Sequence, residues 1–120
     1  MHSPLICSGV VALLAVASTV SLAEAGTRYD GRWSLSITTT RGSCDTYNFP
    51  VNITNGHVSF PGLVKANGRV TGKGNVRVFV SAMGKSASGS GRLTTSYGSG
   101  RWSGRSGQDR CSGSWTAQRA

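Results

Sequence analysis

After residue 25 the chain has no glutamate, one histidine and three carboxylates: Asp30, Asp45 and Asp109. It also has no further long apolar run and no stretch with helical periodicity. Each shortage excludes something. Catalysis needs a matched, convergent set of acid, base and nucleophile, and paired carboxylates could only be two of those three aspartates. Serines are abundant, but no Gly-x-Ser-x-Gly elbow sits between a strand and a helix. His57 falls beside a hairpin turn and reads as a solvated turn residue. Gly84-Lys85-Ser86 echoes the end of a phosphate-binding loop, yet Phe79 stands where the earlier glycine is needed. One histidine without glutamate also makes a metal site hard to assemble. The expectation is a protein that is not an enzyme and carries neither cofactor nor metal.

The first 25 residues differ from the rest. Leu5 to Val20 is almost wholly apolar or small, about 16 residues, the length of a signal-peptide core and short for a membrane span. Ala23-Glu24-Ala25 then supplies a small-x-small cleavage pattern. We therefore expect a signal peptide over 1–25, one domain over 26–120, and a periplasmic or secreted location. Cys7 reads as an ordinary member of the apolar core. Cys44 and Cys111 remain, and two cysteines in an oxidising compartment most often pair.

All 13 Lys and Arg follow residue 25, against three acids, so the exported part carries +10. Its few large apolar residues alternate with polar ones. Trp33, Leu35 and Ile37 share one parity, and Tyr47, Phe49, Val51 and Ile53 repeat it, as in half-buried strands. Asn55-Gly56 follows, a strong two-residue hairpin signal, and sets Ile53 opposite Val58. Val76, Val78, Val80 and Ala82 form another stripe. A turn at Gly84-Lys85 would set them against Leu93, Gly91, Gly89 and Ala87, where glycine allows a sheet to curve tightly. Asn67-Gly68 is a third turn candidate, with a bulge or longer loop nearby. Alternation resumes at Gly100, Trp102 and Gly104, and at Cys111, Gly113, Trp115 and Ala117. The sum is an all-β domain: a small antiparallel meander of about eight strands, closed as a barrel or folded as a sandwich, with one disulfide.

Several local patterns recur. Gly-x-Trp-[Ser/Thr] occurs at 31–34, 100–103 and 113–116, and Gly-Ser-Gly-Arg at 89–92 and 98–101. With the Asp30-Gly31-Arg32-Trp33 opening and the closing Cys111-Ser112-Gly113-Ser114-Trp115 and Arg119, the chain resembles a group of short exported bacterial Gly-rich β-barrel proteins of uncharacterised activity. More distantly, Gly31-x-Trp33 on the first strand with Arg119 on the last resembles the calycin arrangement of lipocalins and avidins. There a Trp packs under an Arg and closes the barrel. The chain is shorter than a lipocalin and lacks a biotin-site set, so the resemblance implies architecture alone.

Two binding surfaces are expected. If the Trp and Val stripes point inward, Arg32, Arg77, Arg92, Arg101 and Arg105 point outward. The register above sets Arg77 opposite Arg92. Like charges there are unfavourable, and a bound anion would relieve them through the planar guanidinium. The partner would be a polyanion or an anionic envelope surface; no nucleic-acid motif is present, and the plain alternative is a charged, solvated exterior. The second surface is a ligand cavity lined by Trp33, Trp102 and Trp115, against the simpler reading that these rings are core. A third possibility is an interaction module acting through residues 104–110.

Overall fold

The computed structural model describes residues 28–60 and 65–120; the signal-peptide reading of 1–25 lies outside the described residues. Eight strands follow in order: β1 (Gly31–Arg41), β2 (Tyr47–Thr54), β3 (His57–Ser59), β4 (Lys65–Val70), β5 (Asn75–Ala82), β6 (Lys85–Leu93), β7 (Tyr97–Ser106) and β8 (Asp109–Arg119). Each pairs antiparallel with its neighbours in the chain, and β8 returns to β1, so the meander closes as a barrel. Closure gives each strand a paired neighbour on both sides, with β3 joined to β2 over three residues and to β4 over two. The disulfide forms between Cys44 and Cys111, 67 positions apart, and ties the loop after β1 to β8. Structural disulfides of this kind persist in oxidising compartments.

The alternation places side chains as expected. Trp33, Val51, Ile53, Val70, Val76, Leu93, Trp115 and Ala117 are buried inside the barrel. Asn55-Gly56 makes its hairpin, with φ of 51° and 77° and Ile53 opposite Val58.

Two turns differ from expectation. The β5–β6 turn is Met83-Gly84, not Gly84-Lys85, with φ of 50° and 79°, close to the values at Asn55-Gly56. Val80 consequently faces Ala87, Val78 faces Gly89 and Val76 faces Gly91. Asn67-Gly68 is not a turn but the middle of β4. Its glycine answers close approach: a Cβ on Gly68 would lie 2.8 Å from Val58 Cβ and 2.9 Å from Val78 Cγ2.

Glycine also decides how the tryptophans lie. Gly91 pairs with Gly100, and Gly100 with Trp115. A Cβ on Gly91 would come 2.6 Å from Trp115 Cζ2, and one on Gly100 2.7 Å from Cε2. The indole therefore lies flat along the two bare strands. Trp102 is likewise flanked by Gly89 on β6 and Gly113 on β8. The rings line the wall rather than cross the lumen.

Candidate functional site

One end of the barrel is closed. Trp33, 1 % exposed, fills it, and its indole N–H donates to the Tyr29 carbonyl at 2.9 Å. The Arg119 guanidinium lies 4.6 Å above the Trp33 ring. Its nitrogens donate to the carbonyls of Thr95 (2.7 Å), Asp30 (2.7 Å) and Arg28 (3.2 Å). Asp30 in turn accepts the backbone N–H groups of Asn55 and Gly56 at the adjacent hairpin, at 2.8 and 3.3 Å. Arg119, joining chain start, last strand and a turn, is thus a closing residue that no outward Arg set would have included.

Among the described residues nothing fills the other end as Trp33 fills the first. It is framed by the disulfide loop after β1 and by the turns β5–β6 and β7–β8. Between the closed end and this mouth lies a cavity of about 400 Å³, within the size range of small-molecule sites. Its walls are apolar: Leu35 and Ile37 from β1, Phe49 from β2, Val78 and Val80 from β5, with Trp33, Trp102 and Trp115. The expected Trp set therefore does line one space. The indole N–H groups of Trp102 and Trp115 are already engaged. Trp102 Nε1 donates to the Thr38 carbonyl at 3.0 Å and Trp115 Nε1 to that of Ser90 at 3.2 Å. Among the described residues no buried side-chain nitrogen or oxygen lacks a partner. The interior thus offers a ligand a mostly apolar contact area and shape, with the two indole N–H groups already taken.

The exterior carries the five expected arginines, all exposed: Arg32, Arg77, Arg92, Arg101 and Arg105. They do not assemble as expected. Arg77 stands opposite Ser90, and Arg92 opposite Asn75, because the turn lies one residue earlier than Gly84-Lys85 and slides the register by two. The like-charged pairs are instead Arg69 with Arg77 across β4–β5 and Arg105 with Arg110 across β7–β8. Arg41, Arg105 and Arg110 also border one shallow outer groove with Phe79, which is 51 % exposed. Arg32, Arg92 and Arg101 take no part in either arrangement. Sequence reasoning missed Arg69, Arg110 and Arg41. The Arg105–Arg110 pair was within reach, since Gly107-Gln108 as a two-residue turn sets Ser106 opposite Asp109 and hence Arg105 opposite Arg110. Residues 104–110, the expected interaction loop, form this hairpin. His57 is exposed opposite Arg69.

Comparison with known proteins gives no match to a family model, to a curated sequence or to a solved structure.

Proposed function

We propose that the protein is an exported, non-enzymatic carrier or sequestering protein that holds a small, largely apolar ligand inside the barrel. The observation that carries this reading is the open apolar cavity of about 400 Å³ left between Trp33, Trp102 and Trp115. A barrel of eight strands is wide enough to be filled by its own side chains or to hold one small ligand. Here the glycines at 91 and 100 let the Trp115 indole lie against the wall, which favours the second outcome. The Trp33–Arg119 closure, similar to that of calycins, adds support. A periplasmic or extracellular setting accords with the disulfide and with the expected leader.

The test is titration with N-phenyl-1-naphthylamine, a neutral probe that brightens in apolar surroundings. A saturable, one-to-one enhancement that does not change with salt is the expected result. Absence of saturable binding would remove the proposal.

A second reading, adhesion to a polyanion, is supported by the direct opposition of Arg69 and Arg77. Such binding falls steeply with ionic strength because neutralised phosphates release counterions. Its slope would flatten in Arg69→Ala/Arg77→Ala. The two readings concern opposite faces of the same wall and are separable by salt alone.

A further inference from the structure

We infer that the outer wall carries a site for an anionic polysaccharide, with the charged group of one sugar held by Arg41, Arg105 and Arg110 and the ring face of another laid on Phe79. The inference rests on the polyanion reading above, gives it a place and a chemical class, and is independent of the lumen.

Two features of the wall bring the cations together. The β7–β8 hairpin sets Arg105 opposite Arg110, and like charges facing each other across an antiparallel pair are destabilising. Arg41 arrives from the other side of β8 through an irregularity. Trp33, Leu35 and Ile37 of β1 face the cavity, and strict alternation would send Arg41 the same way. The register shifts between Thr39 and Arg41, so that Thr39 faces Gly113 while Arg41 faces Ser112. A bulge of this kind re-aims a side chain. Here it delivers Arg41 to the outer face, one diagonal step from Arg110, a separation that long side chains span. All three arginines are exposed and line the same groove.

No carboxylate lines that groove among the described residues. Asp109, next to Arg110 in the chain, has the opposite parity and accepts a hydrogen bond from Ser43 Oγ at 3.0 Å. Asp30 is taken by the hairpin at the closed end. Three guanidinium groups are thus gathered with no acid between them. An anion relieves that arrangement through charge-assisted, bidentate hydrogen bonds.

The rest of the groove selects among anions. One cross-strand row runs from Phe79 through Ser88, Ser103 and Ser112 to Arg41, its strands about 4.8 Å apart. Phe79, 51 % exposed, stands at the end away from Arg41. The serines between them carry hydroxyls that both donate and accept. A ligand matching this row has a charge at one end, hydroxyls along its length and an apolar face at the other end. A polyhydroxylated, charged sugar chain has all three. A duplex backbone offers phosphates and nothing for the ring. A single-stranded nucleic acid stacks successive bases on successive rings, and the groove has one, Phe79.

The experiment titrates the purified protein, at low ionic strength and neutral pH, with polygalacturonate, poly-L-glutamate and poly(dT), each counted per charge and read by calorimetry. The first two carry one carboxylate per unit and differ in backbone. Polygalacturonate is expected to bind about tenfold more tightly than poly-L-glutamate, as a ring contact implies. Phe79→Ala should abolish that gap and leave poly-L-glutamate unchanged. Arg105→Ala/Arg110→Ala should weaken both about tenfold or more. The double variant removes a like-charge contact between exposed residues, so its thermal unfolding without polymer should be unchanged or higher, which separates lost binding from lost fold. Equal binding of the two carboxylate polymers, a gap that survives Phe79→Ala, or tighter binding of poly(dT) overturns the inference. Binding that survives Arg105→Ala/Arg110→Ala but is lost in Arg69→Ala/Arg77→Ala also overturns it, while the polyanion reading stands. If none of the three polymers binds, that reading has failed and the inference with it.

Discussion

Gly100 shows how one missing methyl group shapes this molecule. It lies between Gly91 and Trp115 in the same cross-strand row, and a Cβ there would meet Ser90 O, Gly91 Cα at 2.7 Å and Trp115 Cε2 at 2.7 Å. Two of those atoms belong to backbone, which cannot yield without parting the β6–β7 ladder. Gly100→Ala should therefore destabilise the protein by roughly 1–3 kcal/mol, the usual cost of overpacking. Denaturant unfolding measures it, and a midpoint equal to that of the unsubstituted protein would show that the indole is free to move away. Gly89 makes a useful contrast: its Cβ would find its nearest neighbour, Arg101 O, at 3.4 Å. Gly89→Ala should cost much less than Gly100→Ala. At this scale the sequence pattern of bulky residues facing glycine was legible as curvature, whereas its second role, making room for an indole, depends on ring orientation and leaves no periodic mark.

At the scale of elements, the turns carry the information that alternation lacks. A one-residue slip moves every side chain of a strand to the opposite face, so the buried stripe excludes it. A slip of two keeps all of them on the same face. The stripe Val76-Val78-Val80 therefore identified which side of β5 is buried and could not choose between Val78 against Gly91 and Val78 against Gly89. The choice falls to the turn, and there Met83 adopts φ of 50°, a conformation that residues with a Cβ enter at a cost of about 1–2 kcal/mol. Asn is the residue most tolerant of it, and Met83 is 99 % exposed, so no packing is lost on replacement. Met83→Asn should raise stability by about 1 kcal/mol, read as a higher unfolding midpoint with unchanged slope against denaturant. A fall in stability would mean that the turn is held by something other than its own backbone. Register likewise governs the exterior. The outward parity of Arg32, Arg77, Arg92, Arg101 and Arg105 followed from the stripes, but their neighbours followed from register. Lys85, expected within the turn, is instead the first residue of β6.

At the scale of the whole molecule, closure follows from consistency between strands that are individually weak. Of the seams, β3–β4 is the shortest, with two ladder pairs, His57 with Arg69 and Val58 with Gly68. The bridge from Cys44 to Cys111 reinforces the opposite side of the barrel, where β8 closes on β1. In the chain-entropy account, a closed loop of this length contributes ~4 kcal/mol by restricting the unfolded chain. For a small domain that is a large share of total stability. Cys44→Ser/Cys111→Ser should therefore unfold at markedly lower denaturant than the bridged protein, and an unchanged midpoint would contradict this account. The meander of eight strands and the bridge were legible from spacing and compartment, whereas the choice of barrel over sandwich lies in the pairing of β8 with β1. The size of the cavity was not, because it is the volume remaining after every inward side chain has chosen its rotamer.

The central claim is that this remaining volume is a binding site, and filling it tests that claim most directly. Val80 lines the cavity from β5 and stands opposite Ala87, so Val80→Phe adds a ring to empty apolar space rather than to packed core. Titration of this variant with N-phenyl-1-naphthylamine, alongside its thermal unfolding, is the measurement. The account predicts that probe binding is lost while the unfolding temperature is unchanged or higher. Undiminished probe binding by a folded Val80→Phe protein would place the probe outside the barrel and contradict it.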